Sequence, residues 1–228
     1  DYPGPVVIVR HADDLYSVYG HLDDALAVAT GDTVVRGQQL GTVLNRTDGR
    51  APSHVHFELR TFFTTSEVNG DAPRYTYSCG VECPPGPGYW PIDAPEHPSA
   101  MGWRNPMHVI ARHSFPDGVR AAGSAVIVAA AAAATAAVWS GPPARAGAAQ
   151  IGELALEPGT RYPLLDLRAG QEDTTGTSAE SYRLWYRLAL AEGDGWVQAA
   201  APSTNDTGSD GRPSSVRFDL LPAVATAG

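Results

Sequence analysis

The segment Ser53-His54-Val55-His56-Phe57-Glu58-Leu59-Arg60 carries two histidines, one residue apart, inside an apolar alternation of Val55, Phe57 and Leu59. In a β-strand, residues i and i+2 face the same way. Read as a strand, the segment sets His54, His56 and Glu58 on one face and the three hydrophobes on the other. Two imidazoles side by side on a strand suit a metal ligand next to a proton-transfer group. They equally suit a solvated strand face, and the pair by itself does not separate the two.

The residues upstream do. Val6-Val7-Ile8-Val9 reads as a buried strand, and Leu15-Tyr16-Ser17-Val18-Tyr19-Gly20-His21-Leu22 alternates with Tyr19 and His21 on one face. Thr30-Gly31-Asp32-Thr33-Val34-Val35-Arg36-Gly37-Gln38-Gln39-Leu40-Gly41 reads as short strands punctuated by glycines that permit tight turns. From about residue 4 to residue 60, this order of motifs resembles the lysostaphin-type (LytM-type) zinc peptidases that cut peptidoglycan cross-links.

The resemblance implies an antiparallel β-sheet peptidase domain, a Zn2+ cofactor and peptidoglycan as substrate. It makes His56 a zinc ligand, His54 the catalytic histidine beside the metal and His21 the second catalytic histidine. Tyr19 becomes a candidate substrate contact. A zinc ion with an open position lowers the pKa of its water to about 7, and neutral imidazoles relay protons in that range.

The chain departs from the family in one respect. The family completes its zinc site with an H-x-x-x-D motif placed before everything matched here, and His11 with Asp14 has the wrong spacing for it. A catalytic zinc takes three protein ligands, and His56 is the one identifiable. The expectation is a fragment that lacks the first strands or a degenerate member without zinc; the absence of an initiator Met points to the fragment.

Composition narrows the class. A net charge of -9 and a pI near 5.1 argue against nucleic acid, which demands a basic face. All 16 basic residues are arginine. Glycine-punctuated segments like 30–41 also occur in biotinyl and lipoyl carrier domains, but those attach their cofactor to lysine, so carrier function is excluded. Cys79 and Cys83, the two cysteines, lie in a proline-rich loop and suit a small disulfide in an oxidising compartment. A rival reading adds His108 and His113 to them as a structural zinc site. His97 reads as a surface loop residue.

Residues 61–103 hold prolines, glycines and aromatics without periodicity and read as a loop insertion, either walling a substrate groove or serving as an ornament. Trp103-Arg104-Asn105-Pro106-Met107-His108-Val109-Ile110 resembles the segment that closes the peptidase domain, so the domain is expected over 1–115. The uncharged stretch 121–139 approaches bilayer-spanning length. It lacks flanking basic clusters, so membrane anchoring is not expected, and a linker helix is the other helical option.

The residues from 137 onward favour strands. Ala137-Val138-Trp139-Ser140-Gly141-Pro142, Ile151-Gly152-Glu153-Leu154, Leu184-Trp185-Tyr186-Arg187-Leu188 and Gly193-Asp194-Gly195-Trp196-Val197 occur in order. The series resembles the bacterial SH3-type domain over 124–202, interrupted by an acidic insertion at 171–178, and implies a small SH3-like β-barrel. Trp185, Tyr186 and Trp196 are candidate groove residues for a peptide, with at least one expected in the barrel core. Residues 203–228 read as a linker or tail in which 216–221 form one more strand or the entry to another domain.

The whole reads as a mostly β protein, secreted or in the bacterial cell envelope. It would be a zinc endopeptidase hydrolysing peptide cross-links of peptidoglycan, with an SH3-type cell-wall targeting module. The alternative is a degenerate, non-catalytic regulator or cell-wall-binding protein on the same fold.

Overall fold

A computed structural model of the chain describes residues 4–11, 14–35, 37–47, 52–63, 98–113, 124–143, 146–170, 179–203, 213 and 215–223. Among the described residues the protein is mostly β, with 46% strand and 8% helix. It divides into two units, Asp1–Asn105 and Pro106–Gly228.

The first unit is an antiparallel sheet of β1 (Val7–Arg10), β2 (Tyr16–Gly20), β3 (His56–Arg60) and β4 (Trp103–Arg104), in that spatial order. The register pairs Tyr19 with Phe57, Gly20 with His56 and Val18 with Glu58, and Arg60 with Trp103. Directly opposed residues share a face of the sheet. One face therefore carries Val18, His56, Glu58 and Arg60, and the other Ser17, Tyr19, Phe57 and Leu59. Both faces are covered: Glu58 is 6% and Arg60 0% exposed, while Leu59 on the opposite face is 5% exposed. The polar side of β3 is interior, where the alternation alone suggested a solvated one.

Between β2 and β3 the chain is irregular, tied across by Asp23 N–H to the Thr42 carbonyl, Ala27 N–H to the Leu40 carbonyl and a bridge between Leu22 and Val43. The expected short strands at 30–41 are absent among the described residues. Side chains close local turns there instead, Asp32 Oδ2 accepting from Ala29 N–H and Gln38 Oε1 from Val35 N–H.

The second unit opens with α1 (Pro106–His113). The Trp103–Ile110 segment is thus divided, its tryptophan in the first sheet and its helix in the second unit. The described part of the uncharged run, 124–139, forms no helix. It supplies β5 (Ala125–Val128) and β6 (Thr135–Trp139), whose β-branched Val126, Val128 and Val138 are 0%, 2% and 6% exposed. No helix among the described residues is long and apolar enough to cross a membrane.

The sheet continues through β7 (Gln150–Ala155), β8 (Arg161–Ala169), β9 (Leu184–Leu190), β10 (Gly193–Pro202), β11 (Val216–Phe218) and β12 (Leu220–Ala223), in the spatial order β12-β5-β8-β9-β10-β6-β7. Near its end β10 changes partner: Trp196 and Val197 pair with β6, and Ala200–Pro202 with β11. One residue after β11, β12 pairs with β5. The segment 216–223 thereby joins β10 to β5 and closes a ring of antiparallel strands. Asp219 makes the corner: its backbone bonds Ala199 and Ala129, its Oδ1 accepts from Ala133 N–H at 2.8 Å, and its Oδ2 accepts from Arg217 at 3.0 Å. Within the tail that begins at 203, one more strand is one of the two sequence readings of residues 216–221, and the structure places 216–218 and 220–223 in this sheet.

Candidate functional site

β2 ends at Gly20, and the next residue, His21, adopts φ 60°. Strand alternation would put His21 on the Tyr19 face, away from His56. The left-handed residue breaks that parity. Its ring lies 4.8 Å from that of His54 and 5.9 Å from that of His56 between centroids, edge-on to both. A non-glycine residue in this conformation costs about 1–2 kcal/mol, and such strain gathers at functional positions. The fold holds it with a bond from Leu44 N–H to the His21 carbonyl at 2.9 Å, and His21 is 3% exposed.

His54 precedes β3 and is exposed. Its Nδ1 lies 2.8 Å from the Pro52 carbonyl. A carbonyl only accepts, so the proton sits on Nδ1 and Nε2 keeps the lone pair. His56, 30% exposed, opens β3, and its Nε2 lies 2.9 Å from Glu58 Oε1. The other carboxylate oxygen, Oε2, accepts from Trp103 Nε1–H at 3.0 Å and has Arg60 Nε at 3.7 Å. The Arg60 guanidinium stands 5.4 Å from the centre of the Phe62 ring, and that ring meets Trp103 edge-on at 4.7 Å. A buried carboxylate is tolerated when charge and hydrogen bonds compensate it, as Arg60, Trp103 and His56 do for Glu58.

The structure thus brings together His21, His54 and His56, the three histidines singled out from sequence. The other candidates lie elsewhere. Tyr19 packs against Phe57 at 5.2 Å, on the sheet face away from His56. Trp185, Tyr186 and Trp196 are 3%, 0% and 9% exposed. They are interior groups of the second unit, Trp185 and Tyr186 on β9 and Trp196 on β10. Sequence reasoning missed Arg60, Phe62 and Trp103. The i, i+2, i+4 spacing from His56 flags Glu58 and Arg60; nothing local flags Trp103, which arrives by strand pairing.

His11 bonds Ser17 at 2.8 Å, on the Tyr19 face, and burial holds its pKa below the ordinary histidine value. In the second unit, buried His108 lies 3.4 Å from Ser181 Oγ. Cys79, Cys83 and His97 are outside the described residues, and with them the expected disulfide and the structural zinc alternative.

Among the described residues, no group of three or more His, Cys, Asp or Glu side chains is arranged to hold a metal ion. A catalytic zinc needs three protein ligands, so the described residues do not by themselves fit one.

Residues 1–71 match the model of peptidase family M23. The matched stretch contains β1, β2, β3 and all three clustered histidines, and it supports a lysostaphin-type peptidase fold for this part of the chain. No curated protein and no solved structure matches the chain.

Proposed function

We propose that the first unit is the histidine-bearing part of a zinc endopeptidase domain that hydrolyses peptide cross-links of bacterial peptidoglycan. The observation that carries this reading is the convergence of His21, His54 and His56, which the chain achieves through a strained backbone at His21. An imidazole edge-on to two others, as His21 is to His54 and His56, suits proton movement near neutral pH. His54, protonated on Nδ1, offers Nε2 to take or return a proton, and His21 stands edge-on to steady it. Zinc in this family supplies a polarised carbonyl and an activated water. The described residues bring His56 to such a site, and the proposal requires its remaining ligands from outside them.

The second unit is proposed as an SH3-type module that holds the protein on the cell wall. The ordered sequence landmarks and the closed ring of short antiparallel strands support this. The substrate places the protein outside the cytoplasm, secreted or in the envelope.

The test compares the 228-residue chain with a version that carries a lysostaphin-type H-x-x-x-D segment ahead of Asp1. The chain alone is expected to keep no stoichiometric zinc and to leave peptidoglycan turbid. The extended version should bind zinc and clear it. Within the extended version, His54→Ala should abolish clearing and keep the metal, and His56→Ala should lose both. Clearing that survives His54→Ala would sink the assignment. Wall binding without clearing in every form would instead favour the non-catalytic regulator, a reading the incomplete donor set among the described residues keeps in play.

A further inference from the structure

We propose that Glu58 is a positioning residue that dictates which nitrogen of His56 carries the proton. The inference deepens the reading of the three-histidine cluster, but its measurement does not depend on hydrolysis.

The donors and acceptors around Glu58 leave one arrangement. An ionised carboxylate only accepts, an indole N–H only donates, and a guanidinium only donates. Glu58 Oε2 is committed to Trp103 Nε1–H at 3.0 Å, with Arg60 Nε at 3.7 Å. Oε1 faces His56 Nε2 at 2.9 Å. A neutral imidazole that meets a carboxylate at Nε2 must present Nε2–H, which leaves the lone pair on Nδ1. A histidine whose one nitrogen bonds a carboxylate has its ring orientation and tautomer fixed, and the other nitrogen becomes more basic.

The clamp behind Glu58 gives the arrangement its rigidity. Arg60 and Glu58 are 0% and 6% exposed, and Trp103 is 6% exposed. The Trp103 and Arg60 side chains both rest on Phe62. The carboxylate therefore has no room to rotate away from His56, and water does not compete for it. His54 is set the opposite way, with its proton on Nδ1 through the Pro52 carbonyl. The two histidines of one H-x-H motif are held in opposite tautomers, each by a different acceptor.

The consequence of Glu58→Gln is sharp. An amide has one acceptor where the carboxylate has two. Trp103 and Arg60 can only donate, so they keep the amide oxygen. The amide N–H then faces His56 Nε2, which must accept, and the ring proton moves to Nδ1. One oxygen-to-nitrogen change inverts the His56 tautomer with almost no change of volume.

The experiment is 15N NMR of the histidine side chains in the labelled full chain at roughly pH 8, above the usual histidine range. The wild type should show His56 as the Nε2–H tautomer and His54 as Nδ1–H. In Glu58→Gln, His56 should switch to Nδ1–H while His54 stays unchanged as the internal control. A wild-type His56 that is Nδ1–H or doubly protonated overturns the proposal. So does an unchanged His56 in a folded Glu58→Gln. Should that variant fail to fold, the wild-type His56 Nε2–H proton decides: held by Glu58 it should appear as a slowly exchanging downfield signal, and its loss to rapid exchange with water overturns the proposal. A general loosening of the site would blur both histidines and would not invert one.

Discussion

Trp103 and Glu58 stand 45 positions apart in the chain, yet the indole Nε1–H donates to the Glu58 carboxylate across 3.0 Å. The bond ties the two-residue strand β4 to the strand that carries His56. It also gives a buried carboxylate one of its few partners. Trp103→Phe keeps an aromatic ring against Phe62 but removes the donor and part of the buried ring volume, and the acceptor left unsatisfied should by itself cost about 1–3 kcal/mol. Trp103→Ala also empties the ring's site and should cost about 3–5 kcal/mol. Urea unfolding of the two variants would separate the hydrogen bond from the packing.

His21 combines a buried ring with a left-handed backbone. Glycine adopts that backbone freely and alanine does not. His21→Gly should therefore be more stable than His21→Ala by about 1 kcal/mol, although alanine is ordinarily the better-tolerated residue. Both variants lose the imidazole, so any activity of the extended protein should fall equally in both. Equal stabilities would show that the conformation carries no strain.

Burial lowers the pKa of His11 below its ordinary 6.5. The unfolded chain then binds a proton on His11 more readily than the folded one does. The first unit should keep this share of its stability above about pH 6.5 and lose it as the pH falls below, levelling once the folded-state pKa is passed. His11→Ala, which also gives up the bond to Ser17, should show a flatter unfolding midpoint between pH 7 and pH 5 (roughly the histidine range).

The Tyr186 hydroxyl is buried with no hydrogen-bond partner among the described residues, and burial pushes its pKa well above the usual tyrosine range. Tyr186→Phe removes a polar group that gains nothing from its place, and it should leave stability unchanged or raise it by about 1 kcal/mol. Tyr186→Ala should cost about 3–5 kcal/mol. Because the folded-state pKa is raised, the second unit should be stable below about pH 10 and lose stability as the pH climbs past it; Tyr186→Phe should lose less. Alkaline unfolding of both proteins measures the difference.

Alternation in Tyr16–Gly20 and His56–Arg60 makes both strands legible from sequence, and with them the antiparallel β class. The same rule misplaces Tyr19 and His21 relative to each other, because period-two reasoning holds only while the backbone stays extended. One left-handed residue sends His21 to the His56 side and leaves Tyr19 against Phe57. The buried clamp was illegible for another reason. Glu58 and Arg60 look like solvent-face residues until Trp103 and Phe62 arrive to cover them, and that contact depends on pairing between residues far apart in the chain. In the second unit, the alanine run hides its strands because alanine favours helix locally, while valines packed into a sheet settle the outcome. Trp185, Tyr186 and Trp196 show the limit of reading function from residue type, since the same aromatics serve a groove or a core.

Leu220–Ala223 is the partner of Ala125–Val128, so the first strand of the second sheet waits for the last. A ribosome releases β5 long before it releases β12, and in that interval β5 has an unpaired edge. Pairings this distant in sequence also slow folding. The second unit is therefore exposed to misassembly throughout its own synthesis, and a message truncated before the codon for Leu220 would leave a polypeptide with that edge permanently open.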